Sequence, residues 1–345
     1  MEKKSSITDI ANALKVSPTT VSFILNGKAR EKRISIELVE KVEKYIAEVG
    51  YKPNSLARSL RTGKTHIIGL MVESISNPFF ANIARRIEEL AYRNGYKIIY
   101  ASTDNDTVRT KELIQMFRER HVDGYIITPP EGIEIEVSSL LSAGIPVVFF
   151  DRYLPDVMVD AVTIDNFASS YDAVKYLIST GCKNVGFVTL DSLQTQMQDR
   201  LRGYERAMEE SALPLHVKEI GYSQNPENVV KHIVAFLQRS VKFDAIFFAT
   251  NYLGISGLKA IRALDLQVPG EISVICFDDH EIFELHKPAI TAIYQPIDQI
   301  SHQVINILLD RMNTGGQLKK EQNLVLPTVM IIRESTNTPS DSTVE

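Results

Sequence analysis

Residues 17–26 read SPTTVSFILN, and this stretch predicts a short helix. Ser17 can cap the start of the helix through its hydroxyl, and the proline that follows suits the first helical position. Three apolar residues share one helical face: Val21, Ile24 and Leu25. Four other side chains lie off that face: Thr19, Thr20, Ser22 and Phe23. The stretch therefore predicts a helix that packs on one side and presents hydroxyls and a ring on the other.

Two further helical patterns flank this stretch. Ser6 and Asp9 have the spacing of a capping box. An apolar face follows at Ile7, Ile10, Ala11 and Leu14. A longer helix that ends at Gly50 carries an apolar stripe at Leu38, Val42, Tyr45, Ile46 and Val49. Two short helices with a tight link, covered by a third, predict a helix-turn-helix unit.

A short helical pattern follows at residues 53–64. Asn54 is a good helix cap, Leu56 and Leu60 are four residues apart, and Gly63 is a stop signal. So few residues do not form a stable helix alone, because helix nucleation is costly. We therefore predict a linker that becomes helical only when something docks against its two leucines.

The charge of the chain is unevenly distributed. Residues 1–65 contain 13 lysines and arginines against 7 acidic residues, whereas the remainder contains 25 against 36. Four of the seven residues from Gly27 to Arg33 are basic. A basic head on an acidic body favours contact between the head and a polyanion, although a solvated basic surface explains the same numbers.

From His66 onward the pattern changes to apolar runs separated by amphipathic stretches such as residues 81–95. The runs lie at residues 66–72, 96–102, 124–129, 145–151, 184–190, 243–250 and 272–279. Continuous apolar runs are typical of strands covered on both faces, and so of parallel sheets flanked by helices. The pattern breaks at residues 160–166, which favours two α/β lobes with a ligand site at the carboxyl ends of the strands.

The composition of the chain indicates in which cell compartment it is found. No apolar run is long enough to span a membrane, and the basic N-terminus has no apolar segment of the kind found in secretion signals. Cys182 and Cys276 lie far apart and adjoin apolar runs, so we interpret them as buried, reduced thiols. These features favour the cytoplasm.

The order and spacing of these motifs resemble the lactose/galactose repressor family of bacterial transcription regulators. The resemblance runs through ITDIANALKVSPTTVSFILNG (7–27), GYKPNSLARSLRTGKTHIIGLMV (50–72) and SNPFFANIARRIEELAYRNGY (76–96). It continues through VDGYIITPP (122–130), IPVVFFDR (145–152), DAVTIDN (160–166), DRLRGYERAM (199–208), VPGEISVICFDDHE (268–281) and TAIYQPID (291–298). It therefore covers almost the whole chain.

The resemblance implies an N-terminal all-α helix-turn-helix domain and an α/β effector domain similar to periplasmic binding proteins, with two doubly wound parallel-sheet lobes. We expect the DNA-binding domain at residues 1–52, a hinge helix at 53–64, the two-lobed domain at 65–335 and a polar tail at 336–345. Within the two-lobed domain we expect an N-lobe from residues 65–164 and 296–325. The C-lobe is then formed by residues 165–295 and 326–335.

The resemblance also implies which residues contact DNA. Residues 17–26 correspond to the recognition helix, which enters the major groove, and Leu60 to a leucine that is inserted in the minor groove and kinks the duplex. Phe23 departs from the polar or basic residue that many members carry at this position. The expected DNA-contacting set is Ser17, Thr19, Thr20, Ser22, Phe23, Asn26, Lys28, Arg30, Asn54, Leu60 and Arg61.

A second set of residues corresponds to family positions that contact an effector between the lobes. Carboxylates accept hydrogen bonds from hydroxyls, a guanidinium donates a planar fork, amides do both and aromatic rings stack, so the set suits a small polyol. The expected effector-binding set is Phe79, Phe80, Asp151, Arg200, Tyr222, Asn251, Asp278 and Gln295. Core packing of Phe79 and Phe80, and a surface ion pair for Arg200, are the structural alternatives.

The implied function is a sequence-specific repressor of carbohydrate-metabolism genes, controlled by a sugar-like effector. Its expected partners are a pseudo-palindromic double-stranded operator, the effector and a second copy of the chain, with residues 81–95 in the dimer face. We expect no cofactor, metal, membrane contact or catalytic residue, and a bacterial cytoplasmic location at the nucleoid. The tail has no heptads, which argues against a tetramerising coil.

Two other classes of protein use a similar two-lobed fold. An enzyme is disfavoured because Gly63-Lys64-Thr65 lacks the first glycine of a phosphate loop, and Leu258 replaces the last glycine of a nucleophile elbow. A sugar-binding protein for transport would need an export signal and has no use for the basic head. Asp278, Asp279 and His280 resemble a metal site, but His280 and His286 have the wrong spacing for zinc.

Overall fold

The computed structural model describes residues 6–51, 63–222, 225–314, 321 and 323–336. The chain divides into two compact units, residues 1–65 and 66–345. Three residues of the expected DNA-contacting set lie outside the described residues: Asn54, Leu60 and Arg61. The hinge helix predicted at residues 53–64 stays a prediction for the same reason.

The described residues of the N-terminal unit form three helices, α1 (Ile7–Leu14), α2 (Pro18–Leu25) and α3 (Ile36–Glu48). The predicted capping box is present, because the Ser6 side chain accepts from the Asp9 N–H and the Asp9 side chain accepts from the Ser6 N–H. Ser17 caps α2 in the predicted way. The helices enclose a small buried core of Ile10, Ala11, Val21, Ile24 and Val42. The helix-turn-helix prediction is confirmed.

The second unit contains two six-stranded sheets. The first sheet consists of β1 (Ile67–Val72), β2 (Lys97–Ser102), β3 (Gly124–Ile127), β4 (Val147–Phe150), β5 (Asp160–Ile164) and β11 (Asn323–Leu326). Its order is β11-β5-β4-β3-β1-β2, and all its neighbouring strands are parallel.

The second sheet repeats this order. It consists of β6 (Val185–Leu190), β7 (His216–Ile220), β8 (Ala245–Phe248), β9 (Ser273–Phe277), β10 (Thr291–Tyr294) and β12 (Val329–Ile331). Its order is β12-β10-β9-β8-β6-β7, so each strand has an equivalent in the first sheet. The one difference in direction is β12, which runs antiparallel to β10.

Helices cover both sheets, which explains the continuous apolar runs. The helices of the second unit are α4 (Pro78–Arg93), α5 (Thr107–Glu119), α6 (Glu134–Ser142), α7 (Asn166–Ser179), α8 (Thr195–Glu210), α9 (Pro226–Leu237), α10 (Asn251–Ala263), α11 (Glu281–Leu285) and α12 (Ile297–Asn313). In the first sheet, Leu70 and Phe150 belong to one buried cluster and Met71 and Phe149 to another, so both faces of that sheet are buried. The prediction of parallel sheets flanked by helices is confirmed.

The chain crosses between the sheets three times. It leaves the first sheet after β5, returns after β10 through α12, which packs on β3, β4 and β5, and crosses again between β11 and β12. We call the first sheet with α4–α6 and α12 the N-lobe, and the second sheet with α7–α11 the C-lobe. Two crossings are bonded together, because the Asp165 N–H donates to the Leu326 carbonyl at 3.2 Å.

The predicted helix at residues 81–95 is offset from the observed helix α4. The helix begins at Pro78 because Asn77 caps it, with its side-chain oxygen accepting from the Phe79 N–H at 3.0 Å. It ends at Arg93, and Gly95 just beyond has a left-handed φ of 78°. Phe79 and Phe80 therefore lie in the first turn of the helix, before its predicted start at residue 81.

Among the described residues, no helix combines the length and the apolarity needed to cross a membrane.

Candidate functional site

Two aspartates stand at the carboxyl ends of equivalent strands in the two lobes. Asp151 follows β4 and Asp278 follows β9. Both have a left-handed backbone, with φ of 70° and 65°, a conformation that aspartate tolerates better than most residues. Both residues line one small cavity of about 20 Å³, which we call the core cavity. The two lobes thus contribute equivalent aspartates to the same site.

Arg200, on α8, is held by three elements of the C-lobe. Its Nε donates to Asn166 Oδ1 at 2.8 Å, and its Nη1 donates to the carbonyl of Ala249 at 2.6 Å. The guanidinium carbon lies 3.5 Å from the centre of the Phe277 ring, a cation–π contact. Nη1 also lies 3.7 Å from Asp278 Oδ2. The side chain is 2% exposed, so the surface ion pair considered above is excluded.

A second buried guanidinium, that of Arg152, connects the lobes. Its Nε donates to the Pro129 carbonyl at 2.8 Å, and its Nη2 donates to Asn105. Its Nη1 lies 3.1 Å from Glu73 Oε2 and 3.2 Å from Oε1 of Gln194, which precedes α8 in the C-lobe. Breaking such a buried pair on one side leaves an uncompensated charge, which is strongly destabilising. Arg152 therefore organises the cleft as well as lining it.

A larger space opens beside the core cavity. This lateral cavity has a volume of about 540 Å³. Glu73, Asn77 and Tyr252 line both cavities, so the two are adjacent. Known small-molecule sites occupy about 300–1,000 Å³, and the lateral cavity falls within that range. Tyr222 lies between the lateral cavity and a third space of about 350 Å³, the rim cavity.

The lobes contact each other across the cleft through polar groups. Asn251, at the start of α10, donates from Nδ2 to Asn77 Oδ1 at 3.2 Å, and Asn77 belongs to the N-lobe. The Tyr153 N–H donates to Thr195 Oγ1 at 3.4 Å, again between lobes. Such bonds are worth about 1 kcal/mol each. These two contacts are individually weak, so a ligand in the cleft can replace them.

Burial dominates the electrostatics of the cleft. It raises the pKa of Asp151 to about 6, although the guanidiniums of Arg152 and Arg200 oppose the shift. It raises the pKa of Asp278 as well, opposed by Arg200 and by the hydrogen bond from Gln295. Burial also raises the pKa of Tyr222 to about 12, so this phenol stays a hydrogen-bond donor at neutral pH.

The expected effector-binding residues fall in adjoining parts of this cleft. Phe79, Phe80, Asp151, Arg200 and Asp278 line the core cavity, whereas Tyr222 and Asn251 line the lateral cavity. Gln295 lies behind Asp278 and donates to its Oδ1 at 2.6 Å. Both phenylalanines also belong to the hydrophobic core, at 8% and 4% exposure, so for them core packing and cavity lining coexist.

Sequence reasoning missed several residues of the same cavities: Glu73, Arg152, Gln194, Gln196 and Tyr252. Glu73 and Arg152 stand at strand ends, and this position could have been recognised from the sequence. Their contact joins residues 79 apart in the chain, and it could not have been recognised in that way. Gln196 is 4% exposed, and its Oε1 has no hydrogen-bond partner among the described residues. Buried polar atoms normally have partners, so this amide is a candidate ligand contact.

The N-terminal unit presents the other candidate surface. Five expected residues are exposed, Ser17, Thr19, Asn26, Lys28 and Arg30, while Thr20, Ser22 and Phe23 are half-buried. Ser17 and Thr20 hydroxyls lie 2.8 Å apart, and Asn26 donates to the Ser22 carbonyl at 2.6 Å. The ammonium of Lys32 lies 5.5 Å from the centre of the Phe23 ring. Thr19 is thus the most accessible hydroxyl of α2.

No group of three or more histidine, cysteine or acidic residues that could hold a metal occurs in the described part of the chain. Asp279 instead pairs with Arg333, with oxygen-to-nitrogen distances of 2.8 Å. His280 caps α11, with its Nδ1 accepting from the Ile282 N–H at 3.0 Å. The acid and histidine pattern at residues 278–280 is accounted for by these contacts.

Comparison with known proteins agrees with this division. Residues 6–54 match the family described as "Bacterial regulatory proteins, lacI family", and residues 174–336 match a periplasmic binding protein-like domain. The regulator DegA of Bacillus subtilis is 31% identical over 97% of this chain and 98% of its own. The chain therefore belongs to the lacI family of bacterial regulatory proteins.

Individual relatives carry more specific names. The ribose operon repressor of Haemophilus influenzae is 29% identical over 96% of this chain and 98% of its own length. The lac repressor dimer bound to operator and an anti-inducer has the same fold, with a TM-score of 0.84 and 21% identity over 97% of this chain and 99% of its own. The regulator CelR in complex with cellobiose is 25% identical, with a TM-score of 0.69 over 96% of this chain and 99% of its own.

Proposed function

We propose that this protein is a sequence-specific repressor of carbohydrate-metabolism genes, and that a sugar-like effector in the cleft controls its affinity for DNA. One observation carries the proposal. A helix-turn-helix unit with an exposed, hydroxyl-rich α2 is joined in one chain to two lobes that bring Asp151, Asp278 and Arg200 to a shared cleft.

On the DNA side, α2 is the proposed recognition helix. Thr19, exposed near its N-terminus, supplies a hydroxyl and a methyl to base edges in the major groove. Lys28 and Arg30, exposed in the following loop, neutralise phosphates and contribute affinity that depends on salt but not on sequence. Leu60, predicted in the hinge helix, enters the minor groove.

On the effector side, the chemistry of the cleft suits a polyol. Carboxylates at Asp151 and Asp278 accept hydrogen bonds from hydroxyls, and the guanidinium of Arg200 donates. Tyr222 and Tyr252 offer aromatic faces in the lateral cavity. The names of two relatives, a ribose operon repressor and a cellobiose complex, support a sugar.

Effector binding shifts the equilibrium between different arrangements of the two lobes. Because the lobes contact each other through weak polar bonds, a ligand that bridges them shifts their relative position. In a homodimer on a pseudo-palindromic operator, such a shift changes the spacing of the two DNA-reading units, so effector and DNA affinities are reciprocally coupled. We place dimer contacts on α4, and the protein in the bacterial cytoplasm at the nucleoid, where its operator lies.

The test is selection of binding sites from a random duplex library, followed by titration of the selected duplex with and without sugars. We expect a pseudo-palindromic site whose affinity changes when a sugar binds. The variant Leu60→Ser should lose specific binding while it keeps its thermal shift with the same sugar. Recovery of no preferred sequence from the library would refute the proposal.

A further inference from the structure

We infer that the effector is an uncharged sugar, and that Glu73 excludes sugars that carry a phosphate or a carboxylate. The inference rests on the proposed function, since it concerns the ligand of the same cleft.

The cavities of the cleft are lined by more acids than bases. Among the residues described, six carboxylates line the core, lateral and rim cavities: Glu73, Asp104, Glu131, Asp151, Asp191 and Asp278. Two guanidiniums accompany them, those of Arg152 and Arg200, and both belong to the core cavity. Asp104 pairs with Arg109, and Glu131 and Asp191 are exposed to solvent. The repulsion that low dielectric strengthens therefore comes from the buried acids, and of these Glu73 also lines the lateral cavity.

Neither guanidinium is available as an unshared positive charge. Arg152 is shared by Glu73, at 3.1 Å, and Asp151, at 3.4 Å. Arg200 lies 3.7 Å from Asp278, and its Nε and Nη1 already donate to Asn166 and Ala249. Strong recognition of a phosphate or carboxylate usually takes a guanidinium fork that meets the anion with two parallel bonds. In this protein, acceptors within the chain already bind many of the N–H donors of both guanidiniums.

The Glu73 carboxylate lies beside the space that an anionic ligand would enter. It follows β1, it is 5% exposed, and it lines both the core and the lateral cavity. A phosphate in the lateral cavity would therefore lie near this carboxylate. Burial keeps water from screening the repulsion.

In the core cavity, where each carboxylate is already paired with a guanidinium, a cationic sugar is disfavoured as well. Each carboxylate of the core cavity lies within 3.7 Å of a guanidinium nitrogen, so an ammonium group would approach two positive charges there. An uncharged hydroxyl meets neither penalty, because it donates to a carboxylate and accepts from a guanidinium or amide. Asn77 and Asn251 add neutral donors and acceptors beside these charges.

The first experiment uses the unaltered protein and matched ligands. Thermal shift and titration calorimetry would compare ribose with ribose 5-phosphate, and glucose with glucose 6-phosphate, glucuronate and glucosamine, with xylulose and cellobiose as further neutral sugars. We expect neutral sugars to bind at least about tenfold more tightly than their charged counterparts, a difference of about 1.4 kcal/mol. Tighter binding of a charged counterpart would overturn this inference and leave the proposed function standing. No response to any sugar would overturn both.

The second experiment isolates Glu73. Glu73→Gln removes a negative charge and keeps the side-chain shape, so the ratio of charged to neutral affinity should rise about tenfold. The matched control is Glu112→Gln, at an exposed position on α5, which should leave the ratio unchanged. An unchanged ratio in Glu73→Gln would refute the role of this residue, and the comparison in the unaltered protein does not depend on the stability of the variant.

Discussion

Asp151 combines two unfavourable properties at one position. Its carboxylate is buried beside Asp278 and Glu73, and its backbone is left-handed with φ of 70°. Strain and buried charge of this kind persist at functional sites because the surrounding fold enforces them. The residue should therefore lower the stability of the folded chain at neutral pH while it serves the cleft.

Replacement of Asp151 by asparagine should stabilise the protein at pH 7. Because the folded pKa is about 6 and the ordinary value is 3.8, the folded state binds more protons than the unfolded state between these values. Stability is thus lost as pH rises through this window, by up to about 3 kcal/mol. Asparagine carries no charge and tolerates a left-handed backbone, so Asp151→Asn should avoid this loss. Denaturant unfolding from pH 4.5 to 7.5 measures the difference.

The matched control is Asp265→Asn, because Asp265 is exposed and has a similar φ of 54°. It should change the free energy of unfolding little at any pH in this range. A constant stability difference between Asp151→Asn and the unaltered protein across the whole range would contradict the buried-charge argument. Loss of sugar response in Asp151→Asn, with stability gained, would indicate that the acid is kept for binding.

Single residues also mark the limit of sequence-based prediction. Asp151, Arg200 and Asp278 were predictable because each stands in a motif of the family resemblance, the two aspartates at strand ends and Arg200 within α8. The contact of Glu73 with Arg152 was not, because it depends on β1 and β4 lying on either side of β3 in the sheet order. Local spacing carries no information about such a pair.

At the scale of elements, α7 and α8 pack unusually closely at Gly203. A β-carbon on this residue would lie 2.4 Å from the backbone oxygen of Phe167 and 2.9 Å from the β-carbon of Ser170. Backbone atoms cannot move aside as a flexible side chain can. Glycine is therefore required here for the distance between the helices, and α8 is the helix that carries Arg200.

Gly203→Ala should push α7 and α8 apart. We expect a loss of about 1–3 kcal/mol in the free energy of unfolding, the usual range for overpacking, and weaker sugar binding because Arg200 moves relative to Asn166. Unfolding monitored by circular dichroism, with calorimetric titration of the sugar, measures both effects.

Gly270→Ala serves as the comparison, since its added carbon would approach nothing closer than the β-carbon of Gln267 at 3.8 Å. That variant should keep the stability and the sugar affinity of the unaltered protein. If Gly203→Ala matched it, the packing of α7 on α8 would not determine the position of Arg200.

The strands differ in how clearly their sequences predict them. The seven apolar runs all form strands, and six of them lie inside a sheet, where burial on both faces favours apolar residues. The seventh forms β2, an edge strand in which Lys97 and Tyr100 are exposed. β7 was missed because its sequence HVKEI mixes charged and apolar residues, as expected of a strand at the sheet edge. β5, β10 and β11 were also missed, because each contains polar residues: Asp160 and Thr163 in β5, Thr291 in β10 and Asn323 in β11. β12 has only three residues, too few to stand out as an apolar run.

At the scale of the molecule, we expect DNA binding and sugar binding to belong to different units of the chain. The N-terminal 65 residues are basic, and the remainder is acidic. Deletion of residues 1–64 should therefore abolish DNA binding and its salt dependence, while the thermal shift with a neutral sugar remains. Fluorescence anisotropy over a range of salt concentrations, alongside the thermal shift, tests both. A truncated protein that still binds DNA would contradict this separation.

The three crossings between the lobes make each lobe depend on distant parts of the chain. The N-lobe sheet needs β11, which follows the whole C-lobe sequence except β12, and α12 packs on the same sheet. A polypeptide ending at residue 164 would thus lack an edge strand and a covering helix. A protease cut in one crossing leaves two covalent tethers intact. Two complementary fragments produced from a divided gene should fold only by assembling with one another. The folding of one fragment would therefore show that the other fragment is present.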